Sequence, residues 1–412
     1  MKTVGIVAEY NPFHNGHAYQ IAAAKKLTGA DYCIVVMSGD FVQRGAPAIM
    51  DKYIRANSAL LNGADLVLEL PVYYALGSAE YFASGAIALL DKLGVTDTLC
   101  FGSECGDIDI LSSLSDALLD ETPEFKRVLK QQMKQGMSYP QARNHALSVS
   151  APHLTGSISV LQSPNNILGL EYMKALKKRR SSILPYTLSR LGAGYHTAGL
   201  ETSYSSALAI RESLVQKENI KYIKEQVPAS AYALMEEAFG HSFPILTKDL
   251  SALLLYKLLT EQENGYKSYL DIDDAFSDRI DRLLFSYGDY DSFCERLKAK
   301  NMTYTRVSRN LLHILLDIRQ ADMDAFCSED YIHYARLLGF KKEAEPLLGA
   351  VKQRSAIPLL SKLADADKLI DTETGRQMLD ADIRASHVYS LLVQQKFGGG
   401  LHNEYQNPII VV

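Results

Sequence analysis

The chain has 412 residues, 47% hydrophobic and 22% charged, a balance that excludes disorder as the main state and suffices for two or three domains with cores of their own. Its 43 lysines and arginines stand against 48 aspartates and glutamates, a net charge of −5, so any contact with nucleic acid must come from local basic patches and not from the overall field. With no apolar run near the ~18 residues of a membrane span, Glu9 interrupting the N-terminal stretch, and five scattered cysteines without a C-x-x-C pair, a cytoplasmic protein without membrane contact, disulfide framework or zinc site is expected.

Short apolar runs at 3–8, 33–37, 66–70 and 98–101 end in turn residues and read as strands buried on both faces. Helix-like stretches at 17–26, 51–61 and 78–93 lie between them, an order that predicts right-handed βαβ units and a parallel sheet. A helical and loop insertion follows over about 108–178, then a strand at 182–188. Ligands of such sheets bind beyond the carboxyl ends of the strands, where the polar clusters 9–17, 38–44 and 102–106 fall. From about residue 219 the pattern turns helical: Leu246, Leu250, Leu253, Leu254 and Leu258 share one helix face, and similar spacing recurs at 280–284, 311–318, 359–369 and 383–392. The expected organisation is an α/β class, Rossmann-like domain over 1–218 and an all-α domain over 219–412, with Gly398-Gly399-Gly400 breaking the chain before an apolar tail.

The first strand runs into Asn11-Pro12-Phe13-His14-Asn15-Gly16-His17 at the start of a helix. Gly16 lets a nucleotide approach the backbone without a Cβ in the way, and the helix N-terminus favours an anion. Two imidazoles three residues apart can donate to an α-phosphate as charge develops in an in-line displacement. The plainer alternative is a helix-capping pair on a solvated turn. A second segment, Tyr204-Ser205-Ser206-Ala207-Leu208-Ala209-Ile210-Arg211, offers serine hydroxyls at a helix start and an arginine in the following turns. Its plainer alternative is an N-cap with a surface arginine.

These two segments resemble the nucleotidyltransferase superfamily with its HIGH-type signature. The longer string Gly5-Ile6-Val7-Ala8-Glu9-Tyr10-Asn11-Pro12-Phe13-His14-Asn15-Gly16-His17 is more specific and resembles the bacterial tRNA(Met) cytidine acetate ligases, as do 37–45, 101–104 and 163–169. Tyr304-Thr305-Arg306 and Asp382-Ile383-Arg384-Ala385-Ser386 extend the likeness over nearly the whole chain. Leu208 departs from the family pattern, since a small or hydroxyl residue is often found there, and no KMSKS-like loop is visible.

The resemblance implies activation of acetate by ATP as acetyl-adenylate, with pyrophosphate released. Transfer of the acetyl group to N4 of the wobble cytidine of elongator tRNA(Met) then releases AMP. The nucleotide loop of the family maps onto Val7, Ala8, Glu9, Tyr10, Asn11, Pro12, Phe13, His14, Asn15, Gly16, His17, Ala18, Tyr19 and Gln20, with His14 and His17 as the catalytic, phosphate-facing pair. Further ATP contacts map to Gly102, Asn165 or Asn166, and Arg190, and the serine segment adds Ser206 and Arg211. Asp40, after the second strand, is the candidate for holding Mg²⁺ through water or orienting a substrate, with turn formation as its plain alternative. Gln43 and Arg44 are candidates for the acetate carboxylate.

Three basic runs break the acidity: Lys126, Arg127, Lys130 and Lys134; Lys174, Lys177, Lys178, Arg179 and Arg180; and Arg296 through Arg319. From these, Lys177, Lys178, Arg306 and Arg309 are the expected tRNA contacts, with Tyr304 able to stack on an unpaired base. The alternative enzyme is a coenzyme-type adenylyltransferase acting on a small phosphorylated acceptor. The alternative of another class is a non-catalytic, nucleotide-sensing RNA-binding protein.

Overall fold

The computed structural model describes residues 1–190, 205–300 and 302–412. Tyr204, which belongs to the serine segment quoted above, lies outside the described residues.

The strands are β1 (Thr3–Ala8), β2 (Tyr32–Ser38), β3 (Phe41–Val42), β4 (Ala46–Pro47), β5 (Leu66–Leu70), β6 (Thr98–Ser103), β7 (Leu184–Ser189), β8 (Ala335–Phe340), β9 (Leu359–Leu360) and β10 (Ile410–Val411). One sheet runs β10-β8-β5-β2-β1-β6-β7 with β9 on β8, and β3 and β4 form a separate hairpin. Strands β5, β2, β1, β6 and β7 are parallel, as the alternation of apolar runs and helices predicts. Chain direction across the sheet reverses at β1, with β2 on one side and β6 on the other, which opens a crevice at their carboxyl ends.

Seven helices matter for the site: α1 (Asn15–Thr28), α2 (Lys52–Leu61), α3 (Ala79–Lys92), α4 (Pro164–Arg179), α5 (Ala207–Lys217), α6 (Tyr304–Leu315) and α7 (Glu373–Phe397). Their starts follow side-chain capping. Asp51 accepts the amides of Tyr53 and Ile54 at 2.8 and 2.9 Å, and Ser78 accepts that of Tyr81 at 3.3 Å. Helix α1 stops at Gly29, whose φ of 64° suits glycine. No helix among the described residues is long and apolar enough to cross a membrane.

The C-terminal half is mostly helical, as expected, yet it also supplies strands to the sheet. Strand β8 pairs antiparallel with β5, and β9 and β10 pair with β8. Residues 335–340 carry neither an alternating pattern nor a turn signal, because β8 is buried on both faces. The arginine that breaks its apolar run, Arg336, is 4% exposed and held by Glu69 at 3.2 Å and Glu404 at 2.6 Å.

That arginine belongs to a buried ionic cluster joining the two halves. Lys52, wholly buried, lies 2.9 Å from Glu69, 2.6 Å from Glu404 in the tail and 3.8 Å from Asp40, and donates to Ser386 Oγ of α7 at 2.8 Å. Each charge has several partners of opposite sign or polar character, the condition under which buried ions are tolerated.

Candidate active site

Strand β1 delivers its last residues, and the loop after them, to the crevice. Tyr10 there adopts φ 49°, and its ring meets Phe13 and His17 edge-on at 4.9 and 4.8 Å. Asn11 ties the loop to its surroundings: its Oδ1 accepts the Ile49 amide at 2.8 Å and its carbonyl accepts Arg211 at 2.5 Å. His14 is the N-cap of α1. Its Nδ1 accepts the Gly16 amide at 3.0 Å, while His17 Nδ1 accepts the His14 amide at 3.3 Å. Both rings are therefore capping groups, and that role decides their chemistry. With Nδ1 accepting, the single proton of each neutral imidazole sits on Nε2. The rings stack at 3.7 Å and both line the cavity. Burial, then Arg190 and Arg211, push His14 down to about 3; burial, then His14 and Arg190, lower His17 well below the usual imidazole range. At neutral pH the pair offers two uncharged N–H donors.

The cavity has a volume of about 950 Å³. Of the expected ATP contacts, Val7, Ala8, Glu9, Tyr10, Asn11, His14, His17, Gln20, Gly102, Asn165, Arg190, Ser206 and Arg211 line it. Ser206 also caps α5, accepting the Ala209 amide at 3.1 Å, so both readings of that segment hold. Pro12, Phe13, Asn15, Gly16, Ala18 and Tyr19 do not line the cavity. Phe13 is core, and Asn15 binds the chain to the Glu225 and Gln226 carbonyls at 2.8 and 3.0 Å. Gly16 is required by its own neighbour: a Cβ there would stand 2.9 Å from the His14 ring.

Between the two candidate asparagines, the structure distinguishes clearly. Asn166 is 2% exposed, with Oδ1 accepting the Glu104 and Cys105 amides and Nδ2 donating to the Val160 carbonyl, so it holds the loop after β6 and does not reach the cavity. Asn165 does, steadied by Glu104 Oε1 at 2.7 Å.

Asp40 also departs from expectation. Its Oδ1 accepts the Lys52 amide at 2.9 Å, its side chain belongs to the buried ionic cluster, and it is not a lining residue. Burial raises its carboxyl to about 6, with Lys52 opposing. Among the described residues no group of three His, Cys, Asp or Glu side chains forms a metal site. Asp40, paired with Lys52 and absent from the cavity wall, is not placed to hold Mg²⁺ there.

Several functional residues lay beyond sequence reasoning. Arg55, wholly buried, donates to the carbonyls of Glu9 (2.6 Å), Ser38 (3.0 Å), Met50 (3.0 Å) and Gly39, pinning the loops after β1 and β2. Its signal was available: Lys52 and Arg55 share the face of α2 that the apolar pattern buries. Phe82, Phe101 and Tyr172 add apolar wall, and Ile245, Leu246, Thr247, Thr303 and Thr305 join the expected Arg309 in bringing the C-terminal half into the cavity.

The basic runs divide. Lys177 Nζ bonds Asp116, Ser112 and Ser115, Lys178 lies 2.9 Å from Glu80, and Arg179 pairs with Asp91 and Asp330. Of the two expected at the RNA face, Lys177 thus ties two helices of the insertion to each other and Lys178 pairs the insertion with the sheet domain. Tyr304 is half-buried and donates to Asp291 at 2.7 Å. Arg309 lines the cavity, and Arg306 stands one turn before it on α6.

Residues 1–402 match the family model described as HIGH Nucleotidyl Transferase. The tRNA(Met) cytidine acetate ligase of Acetivibrio thermocellus is 36% identical over the full length of both chains, and that of Caldanaerobacter subterraneus subsp. tengcongensis 40% over 95% of each. Among solved structures, Thermotoga maritima TmcAL superimposes with a TM-score of 0.93 in its apo form at 30% identity, and 0.92 when bound with alpha-thio ATP at 29%, each covering both chains completely.

Proposed function

The chain belongs to the tRNA(Met) cytidine acetate ligases within the HIGH nucleotidyl transferase family and is a ligase, and from that premise we propose the reaction in full. ATP lies across the crevice with its α-phosphate at the two imidazoles. An acetate oxygen attacks the α-phosphorus, the bond to the β-phosphate oxygen breaks, and pyrophosphate leaves. The amino group N4 of the wobble cytidine of elongator tRNA(Met) then attacks the acyl carbon, loses a proton, and AMP departs.

The carrying observation is the capped histidine pair, whose Nδ1 atoms are occupied and whose Nε2–H groups remain for the phosphate. Neutral donors fixed in place stabilise negative charge that grows on the non-bridging oxygens during displacement, without reorganising. Arg190 and Arg211 supply positive charge beside them. The cavity, about 950 Å³, has room for ATP beside a small acid. Binding of an ATP analogue by the Thermotoga maritima relative supports the nucleotide assignment.

Exchange of labelled pyrophosphate into ATP tests this reading. Exchange that requires acetate supports the ligase, exchange that requires a phosphorylated small acceptor supports the adenylyltransferase alternative, and none at all refutes both. Mass spectrometry of nucleosides from tRNA treated with the protein, ATP and acetate must then show a cytidine heavier by one acetyl group.

A further inference from the structure

One stretch of the cavity wall is built by the β3–β4 turn pressed onto α6. Gly45 in that turn has φ 78°, and a Cβ on it would stand 2.5 Å from the Arg309 amide nitrogen. Its carbonyl accepts Ser308 Oγ at 2.5 Å and Tyr290 Oη at 3.3 Å. This seat leaves Arg44 and Arg309 on the same wall, both lining the cavity.

Arg309 is the unusual member. Its Nε is buried with no hydrogen-bond partner, and no ion pair joins it to a carboxylate among the described residues. Burial first lowers its affinity for the proton; the Asp271 carboxylate opposes this, and the Arg306 and Arg44 charges then add to the lowering. Asp271 offsets part of the cost of a poorly solvated cation beside others of the same sign, and an anion bound in the cavity would offset more. The triphosphate has its own cations, since Arg190 and Arg211 are the arginines that act on His14. Arg306 and Arg309 are three residues apart on one helix face, and Arg306 is half-exposed, so the positive line continues outward from the cavity.

We propose that Arg44 and Arg309 clamp a phosphodiester of the polynucleotide acceptor, the group adjoining the nucleotide inserted for acetylation; this rests on RNA being the acceptor. A guanidinium fork matches two phosphate oxygens, and a site inside the cavity mouth fixes the register of the strand where a surface patch would only attract it.

The test titrates a substrate tRNA transcript into wild-type protein, Arg309→Gln and Arg309→Lys over a salt series, with pyrophosphate exchange followed in parallel. Arg309→Gln should weaken binding about tenfold and lower the slope of log affinity against log salt by about one, the signature of one lost phosphate contact. Arg309→Lys should restore the slope with part of the affinity; should the glutamine variant not fold, this loss of affinity at constant slope carries the test. RNA affinity and slope equal to wild type in the variants overturn the clamp. So does a raised acetate KM in the exchange with RNA binding intact, which assigns Arg309 to the acid. Wild-type protein that performs acetate-dependent exchange yet does not bind the transcript overturns the acceptor reading itself, and the clamp falls with it.

Discussion

Replacing His17 by alanine removes three things at once: an Nε2–H in the cavity, the Nδ1 that accepts the His14 amide, and a ring stacked 3.7 Å from that of His14. The first loss falls on the transition state. One fixed donor to a developing oxyanion is worth about 10²–10³ in rate, roughly 3–4 kcal/mol. The second falls on the folded state, where a lost cap costs about 1 kcal/mol. Two assays separate them. Acetate-dependent pyrophosphate exchange at saturating ATP should drop by about 10²–10³, while the melting transition moves only slightly. His17→Gln carries an amide N–H on a side chain of similar reach and should recover part of the rate. The reasoning is refuted if folded His17→Ala protein keeps exchange within about fivefold of wild type, which is about 1 kcal/mol of barrier.

Glu404 should be a large contributor to stability. Burial alone would raise its carboxyl, but Lys52 and Arg336 hold it down at about 2, so Glu404→Gln should cost on the order of 3 kcal/mol at neutral pH in a denaturant titration. Because its folded value lies below the unfolded one, that contribution is complete above the usual glutamate range and lost as pH falls toward 2. For His14, depressed to about 3, the unfolded chain takes up the proton first; stability from this group is present above about 6.5 and declines as acid is added, and kcat/KM for ATP should show no imidazole ionisation between about pH 5 and 8. Gly45→Ala forces a Cβ to 2.5 Å from the Arg309 amide at a positive φ and should destabilise by more than about 1 kcal/mol, measured by thermal melting.

Much of the sheet and the histidine turn could be read from sequence because local signals and burial agree there. Residues 3–8 and 66–70 are apolar, short and flanked by turns, and they are strands with those bounds. Asp51 and Ser78, at the starts of expected helices, became N-caps. The shortfalls have one cause in common, pairing between residues far apart in the chain. Nothing near 335–340 announces a strand, since its partner is β5 and the arginine in it is neutralised from positions 69 and 404. Asp40 looks like a site carboxylate until Lys52 claims it, and Lys177 looks like an RNA contact until Asp116 does. Charge in a sequence records capacity; only the fold shows whether a partner has already used it.

This bears on what the helical half does for the reaction. A domain that served only to grip RNA would leave the cavity whole in residues 1–218. Instead Ile245, Leu246, Thr247, Thr303, Thr305 and Arg309 form part of its wall. The floor is tied down as well: Tyr389 of α7 donates to the Ala48 carbonyl at 2.9 Å, and Ser386 and Glu404 meet Lys52 at the base of α2. In the proposed reaction the acetyl-adenylate is prone to hydrolysis, and a wall supplied by both halves of the chain would limit its exposure to water. Both steps of the proposed reaction would therefore depend on one continuous structure, and loosening the tail at Glu404 should impair the first as well as the second.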